Sequence, residues 1–191
     1  MNRLFYHEQV YQPEEDTLLL YETAMREINP DERIIEIGTG SGFIASRIRE
    51  RSDHVIATDI NPHACKSAKK GGGVEVIRTD LFSGICGTFD LVLFNPPYLP
   101  TKREEKLDDW LEYALDGGED GRDTIRRFAE QLNAVLSKTG RCLILISSLT
   151  GTDEVREIFS KQGFLSYIVA EKIVEDEKLF VLRIIHDMCR I

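Results

Sequence analysis

Four consecutive residues, Asn95-Pro96-Pro97-Tyr98, follow the nearly all-apolar run Phe89 to Phe94 and carry groups suited to holding a planar amino nitrogen. Neither proline can donate a ladder hydrogen bond, so the strand predicted over 89–94 must stop there, and their fixed φ angles stiffen the turn. Asn95 offers a side-chain carbonyl and Pro96 a backbone carbonyl. Two acceptors aimed at one NH2 group orient its nitrogen and stabilise the positive charge that grows on it during attack on an electrophile. Tyr98 supplies a flat face on which an amide or a base can lie, and Pro97 completes the rim. Asn95, Pro96 and Tyr98 are therefore the candidate reacting-site residues, with Pro97 beside them as a substrate contact. Taken alone, an Asn-Pro pair is also a common turn starter.

A second constellation lies upstream. Glu36-Ile37-Gly38-Thr39-Gly40-Ser41-Gly42 follows a predicted strand and opens a predicted helix. A dinucleotide fingerprint would need glycine at 38, 40 and 43, but position 43 is Phe43. Glycines at every second residue after an acidic one instead resemble the first motif of the Rossmann-like methyltransferases. That resemblance implies S-adenosylmethionine as cofactor, S-adenosylhomocysteine as product, and a loop passing under the methionine portion. Glu36 would then help hold the cofactor's amino group. Asp59 ends the next strand, a position from which a carboxylate can accept both ribose hydroxyl protons. Asp80 ends the third strand, placed for the adenine amino group, with the Leu81 backbone reading the ring edge. Turns favour Asp for local reasons as well, but three acidic residues at three successive strand ends form a pattern.

The elements that must position these residues read as an alternation. A helix opens at Pro13-Glu14, with Glu15 and Asp16 suiting its positive end and Leu18, Leu19, Leu20 and Met25 its apolar face. Strands are predicted over 33–37, 54–58, 74–78, 89–94 and 141–147, with final strands over 165–169 and 179–185. Helices are predicted over 42–50, from Asn61-Pro62 to the glycines at 71–73, and over 124–136 and 153–162. Alternating strands and helices imply an α/β, doubly wound, mostly parallel sheet, with ligands at the carboxyl ends of its strands. The last two strands are joined too closely for a parallel crossover, so one antiparallel strand is expected near an edge. One domain over 1–191 is expected, residues 1–30 forming a helical extension that contributes to the cofactor site.

Composition narrows the function. The 191-residue chain carries a net charge of −9, which argues against an extended nucleic-acid footprint; direct nucleic-acid binding is not expected. The basic clusters Lys66/Lys69/Lys70 and Arg122/Arg126/Arg127 read as solvated helix faces. Cys65, Cys86, Cys142 and Cys189 form no C-x-x-C pair, and the four histidines lack metal-ligand spacing, so no metal is expected. No apolar run is long enough to span a bilayer, and residues 1–7 lack the features of a signal peptide. The expected location is cytoplasmic, with no membrane association. The acidic residues Glu104, Glu105, Asp108, Asp109 and Glu112 read as a solvated flank of the cleft, and Trp110 as a packing anchor.

Asn95-Pro96-Pro97-Tyr98 resembles the (N/D)-P-P-(Y/F/W) motif of enzymes that methylate adenine N6, guanine N2 or glutamine N5. Two further segments narrow that set. Val10 to Leu20 resembles the V-Y-x-P-x-E-D-T-x-L-L signature of the eukaryotic and archaeal HemK-type glutamine methyltransferases. Ala114 to Arg122 resembles their A-x-x-G-G-x-x-G-R loop, and Thr58-Asp59-Ile60-Asn61-Pro62 matches as well. The resemblance implies that Thr17 reaches the cofactor carboxylate and that Asn95 borders cofactor as well as substrate. It implies as substrate the Gly-Gly-Gln glutamine of a class 1 translation release factor, and a small zinc-binding activator subunit as heterodimer partner. The extra N-terminal helical domain of bacterial members is expected to be absent. Asp116 stands where the family often has Ala, and Gln12 where it often has Glu. The alternatives are a nucleic-acid amino methyltransferase, a protein lysine methyltransferase, or a non-catalytic subunit that binds the cofactor.

Overall fold

The computed structural model describes residues 7–101 and 109–189, so the readings for residues 1–6 and for Glu104, Glu105 and Asp108 lie outside the described residues. The elements run α1 (Glu15–Glu27), β1 (Ile34–Ile37), α2 (Phe43–Ile48), β2 (Val55–Asp59), α3 (Pro62–Gly72), β3 (Glu75–Arg78) and β4 (Phe89–Phe94). They continue with α4 (Trp110–Tyr113), α5 (Asp123–Leu132), β5 (Leu136–Ser147), α6 (Thr152–Lys161), β6 (Phe164–Val174) and β7 (Glu177–His186).

Among the described residues, seven strands form one sheet in the order β3-β2-β1-β4-β5-β7-β6. β1 to β5 are parallel, and β7 runs antiparallel to both of its neighbours. The single reversed strand therefore sits next to the edge, as the short final connection requires. β1 and β4 are fully or almost fully buried, as expected for central strands covered on both faces. Their side chains divide by alternation. Ile35, Ile37, Val92 and Phe94 join Phe128, Leu132 and Phe159 of α5 and α6 in one core. Ile34, Leu91 and Leu93 join Leu20, Ala24, Ile44, Ile48 and Ala68 of α1, α2 and α3 in the other.

Several boundaries differ from the sequence reading. α1 begins at Glu15, two residues after Pro13, without a side-chain cap bond. α5 ends at Leu132 and β5 already starts at Leu136, which pairs with Phe89 before the β4–β5 register slips between Phe89 and Leu91 and resumes at Arg141. β6 runs on to Val174 past Glu171 and Lys172, with a bulge between Ile168 and Ala170 that interrupts its alternation.

The winding reverses at β1. From there the chain moves out through β2 and β3, then returns to place β4 on the other side. The pairing Ile37↔Phe94 puts the exits of β1 and β4 side by side. Those exits carry the glycine loop and the Asn-Pro-Pro-Tyr turn, so the crevice predicted for such a switch point lies between them.

Gly42 explains why the third glycine stands at 42. It caps α2 with a φ of 80°, and a Cβ there would lie 2.7 Å from both Cα and Cβ of Ala68 on α3. A side chain would force apart two helices that hold the loop over the sheet. Gly42→Ala is expected to lower the unfolding free energy by about 2 kcal/mol in urea titrations, from overpacking combined with strained φ. A loss below about 0.5 kcal/mol, the level of an ordinary surface change, would contradict this account.

Candidate functional site

A cavity of about 410 Å3 opens at the carboxyl ends of β1, β2 and β4. That volume lies in the range of about 300–1,000 Å3 typical of small-molecule sites. Every site residue named from sequence lines it: Thr17, Glu36, Gly38, Gly40, Asp59, Asp80, Leu81, Asn95, Pro96, Pro97 and Tyr98. Val10, Tyr11, Pro13, Glu14 and Asp16 from the segment entering α1 line it too.

Glu36 lies on the α2 face of β1 and is buried. Its Oε2 accepts from Thr39 Oγ1 at 2.6 Å and from the Ala45 amide at 3.0 Å. Burial dominates these bonds and pushes its pKa up to about 8. Asp59 is almost as buried, and its two oxygens accept from the Gly40 and Asn61 amides, each at 2.8 Å. Burial raises its pKa despite those bonds. The Gly40 contact ties the glycine loop to the end of β2, while Asn61 caps α3 by accepting from the His63 amide at 2.8 Å.

Asp80 lines the cavity with its carboxylate bonded to Arg127 of α5. Leu81 beside it has a φ of 50°, one of two positive values among the described non-glycine residues. Such strain persists at positions over-determined by their surroundings, commonly ligand clamps. Thr17 fits its expected role less directly, since its amide and its hydroxyl both bond to Asp16 Oδ1.

Asp16 is the organising residue that sequence reasoning missed. It was read as a helix-end charge, yet it is only 4% exposed and its Oδ2 gathers three donors. These are Tyr11 Oη at 3.0 Å, Asn95 Nδ2 at 2.9 Å and Tyr98 Oη at 3.5 Å. The bond to Nδ2 fixes which way the Asn95 amide points. Its Oδ1 is consequently buried without a hydrogen-bond partner, an acceptor that costs free energy unless a donor arrives. Burial, and next the Asp16 charge, push the phenols of Tyr11 and Tyr98 upward, so both remain donors at neutral pH. The clue available in sequence was the place of Asp16 inside the Val10–Leu20 signature.

Trp110, read as a packing anchor, also lines the cavity and meets Tyr113 edge-on with ring centroids 6.1 Å apart. Asp109 is exposed, as the solvated-flank reading expects, and it also caps α4 by accepting from the Glu112 amide at 2.8 Å. Glu177 at the start of β7 lines the cavity as well, which no motif indicated. Three described arginines near the site are paired: Arg122 and Arg126 with Asp120, Arg126 also with Asp123, and Arg127 with Asp80. Among the described residues, no group of His, Cys, Asp and Glu could hold a metal, and no helix is long and apolar enough to cross a membrane.

The arrangement offers carboxylates for hydroxyl and amino donors along one wall and an unpartnered amide oxygen beside a rigid turn on the other. Comparison with known proteins places the chain in a family. The family model described as "Methyltransferase small domain" matches residues 11–110. A protein of Methanocaldococcus jannaschii assigned as a protein N5-glutamine methyltransferase is 39% identical over 186 residues, covering 94% of this chain and 93% of its own. Methyltransferase HEMK2 of Mus musculus is 33% identical over 190 residues, covering 91% and 88%. The solved E. cuniculi Mtq2–Trm112 complex, responsible for methylation of the translation termination factor eRF1, superposes with a TM-score of 0.78. It is 28% identical and covers 93% of this chain and 99% of that one.

The Glu36 environment sets a pH dependence in the ligand-free protein. Its pKa is raised from 4.5 to about 8 on folding, so its stabilisation is complete below 4.5 and is lost as pH rises through about 8. The stability of wild type relative to Glu36→Gln, from urea titrations, should therefore decline across that window. Parallel curves for the two proteins would contradict the assignment.

Proposed function

This chain belongs to the family of protein N5-glutamine methyltransferases, and on that premise we propose that it methylates the Gly-Gly-Gln glutamine of a class 1 translation release factor. The observation that carries the reading is the buried, unpartnered Oδ1 of Asn95 beside the Pro-Pro turn. S-adenosylmethionine, the cofactor of this family, supplies an electrophilic methyl group on a sulfonium. The wall of the cavity fits it: Glu36 is assigned to its amino group, the Gly38–Gly40 loop to its methionine portion and Asp59 to its ribose hydroxyls. Asp80 and the Leu81 backbone are assigned to adenine, and Thr17 to the carboxylate.

Asn95 and Pro96 do the orienting. The amide NH2 of the substrate donates one proton to Asn95 Oδ1 and the other to the Pro96 carbonyl, with its plane against Tyr98. An amide lone pair is delocalised and weakly nucleophilic. Acceptors that draw the two protons out of plane restore electron density at nitrogen and stabilise its growing positive charge. Neither Tyr98 nor Tyr11 serves as base, since both phenols are held protonated. The surplus proton leaves after transfer, once the nitrogen has become strongly acidic.

Electrostatics favour a protein substrate. Asp16, Glu14 and Glu177 line the cavity, and among the described residues Arg122, Arg126 and Arg127 are committed to Asp80, Asp120 and Asp123. Phosphates would meet acidic groups where nucleic-acid enzymes present unpaired cations. By analogy with the Mtq2–Trm112 complex, we extend the proposal to a small activator subunit, zinc-binding and joined as a heterodimer. A release-factor substrate also places the enzyme in the compartment of translation, the cytoplasm.

The test is tandem mass spectrometry of a release factor's Gly-Gly-Gln peptide after incubation with cofactor and enzyme, with and without the activator, beside a parallel nucleic-acid incubation. A 14-Da addition on the glutamine is expected; label confined to nucleic acid would overturn the substrate. Asn95→Ala should lower kcat by about 10²–10³-fold, the usual effect of removing one charge-stabilising partner. Its cofactor Kd should stay within about threefold of wild type by calorimetry, a change of under 1 kcal/mol. Turnover at the wild-type rate would remove Asn95 from the mechanism.

A further inference from the structure

The loop from Ala114 to Arg122 contributes only part of its length to the cavity, yet its backbone is built onto the segment that follows the reacting turn. Leu99 and Asp116 form a parallel bridge. The Leu99 amide donates to the Leu115 carbonyl at 3.1 Å, and the Gly117 amide donates to the Leu99 carbonyl at 2.9 Å. The Thr101 amide donates to the Gly118 carbonyl, also at 2.9 Å. Asp116, the departure from the family pattern, accepts from the Gly118 amide at 2.8 Å and so helps shape the turn. The far end is anchored by Arg122, which donates to the Thr150 carbonyl and pairs with Asp120 at 3.1 Å.

Gly121 closes this clamp. A Cβ on it would lie 2.5 Å from the Tyr98 carbonyl oxygen and 3.2 Å from Thr150 Cγ2, and its φ is 73°. Gly117 lies behind it with no more room, since a Cβ there would sit 2.7 Å from Gly121 Cα. The backbone of the loop thus rests directly on the last peptide of the Asn95–Tyr98 turn.

We propose that Gly121 is a positioning residue for methyl transfer: its bare backbone seats the Tyr98 carbonyl and thereby fixes where Asn95 and Pro96 present their acceptors. The inference rests on the glutamine-methylating reading of that turn. It accounts for the glycines of this loop as a contact surface shaped to the turn. Cofactor binding is not the property they serve, because the carboxylates assigned to the cofactor stand on β1, on β2 and in the turn after β3.

The test compares Gly121→Ala with Gly84→Ala. Gly84 has an equivalent φ of 74°, but a Cβ there meets nothing within 4 Å, so it reproduces the backbone strain without the contact. Gly121→Ala should lower kcat by about 10–100-fold, the cost of misplacing reacting groups by up to about an ångström. Cofactor Kd should change less than about twofold, and Gly84→Ala should keep wild-type kcat. A second readout needs no substrate: the backbone amide resonances of Tyr98 and Leu99 should shift in Gly121→Ala and not in Gly84→Ala. Resonances unmoved in Gly121→Ala, or equal kcat in the two variants, would overturn the inference. Should Gly121→Ala fail to fold, Arg122→Ala releases the anchored end without adding a clash. There a selective loss of kcat supports the clamp, and unchanged kcat with unmoved Tyr98 and Leu99 resonances refutes it.

Discussion

One carboxylate oxygen, Asp16 Oδ2, decides what the reacting turn can do. An asparagine amide presents a donor and an acceptor on opposite sides, and nothing in the amide itself selects which one faces a ligand. By taking a hydrogen bond from Nδ2, Asp16 leaves Oδ1 turned away and unpartnered. The free energy of that orphaned acceptor is a standing cost, recovered when a donor enters. Asp16 is itself fixed by Thr17 and Tyr11, residues of the same segment that borders the cofactor wall. The α1 entry segment and the Asn95 turn, both lining the cavity, are therefore joined through one side chain.

The fold supplies the rest by placing two strand exits side by side. The register Ile37↔Phe94 makes the glycine loop and the Asn-Pro-Pro-Tyr turn neighbours although about 55 residues separate them in the chain, as a topological switch point requires. Close helix packing at Gly42 holds one of these loops, and the 114–122 loop backs the other. At both contacts a glycine permits an approach that no Cβ could tolerate, so each loop is located by backbone atoms. Burial of Glu36 and Asp59 follows from the same economy of space, and it is what lifts their pKa values.

Much of this was legible in the sequence because local patterns matched the final fold. The nearly all-apolar run at 89–94, the Asn61-Pro62 helix start and the short final connection each carry a local signal that tertiary packing did not reverse. Where packing supplied the deciding interaction, the reading fell short. The bulge near Val169 breaks alternation, so the polar residues Glu171 and Lys172 hid the second half of β6. Asp16 obeyed the rule for acidic residues at helix starts, and that local explanation masked a partner 79 positions away. Asp80 looked like a bare acceptor because its Arg127 partner stands 47 positions on. Trp110 and Glu177 reach the cavity from elements whose sequence carries no cleft signature.

The most direct trial of the central claim is single-turnover methyl transfer by Asp16→Asn at saturating cofactor. This substitution keeps the shape of residue 16 and an acceptor for Thr17, but places an NH2 group where Asn95 needs an acceptor. The Asn95 amide then turns its oxygen toward residue 16 and its donor toward the substrate. The account predicts a fall of about a hundredfold or more in the transfer rate, on the scale of losing one charge-stabilising partner, with cofactor Kd nearly unchanged. Transfer at the wild-type rate would contradict it.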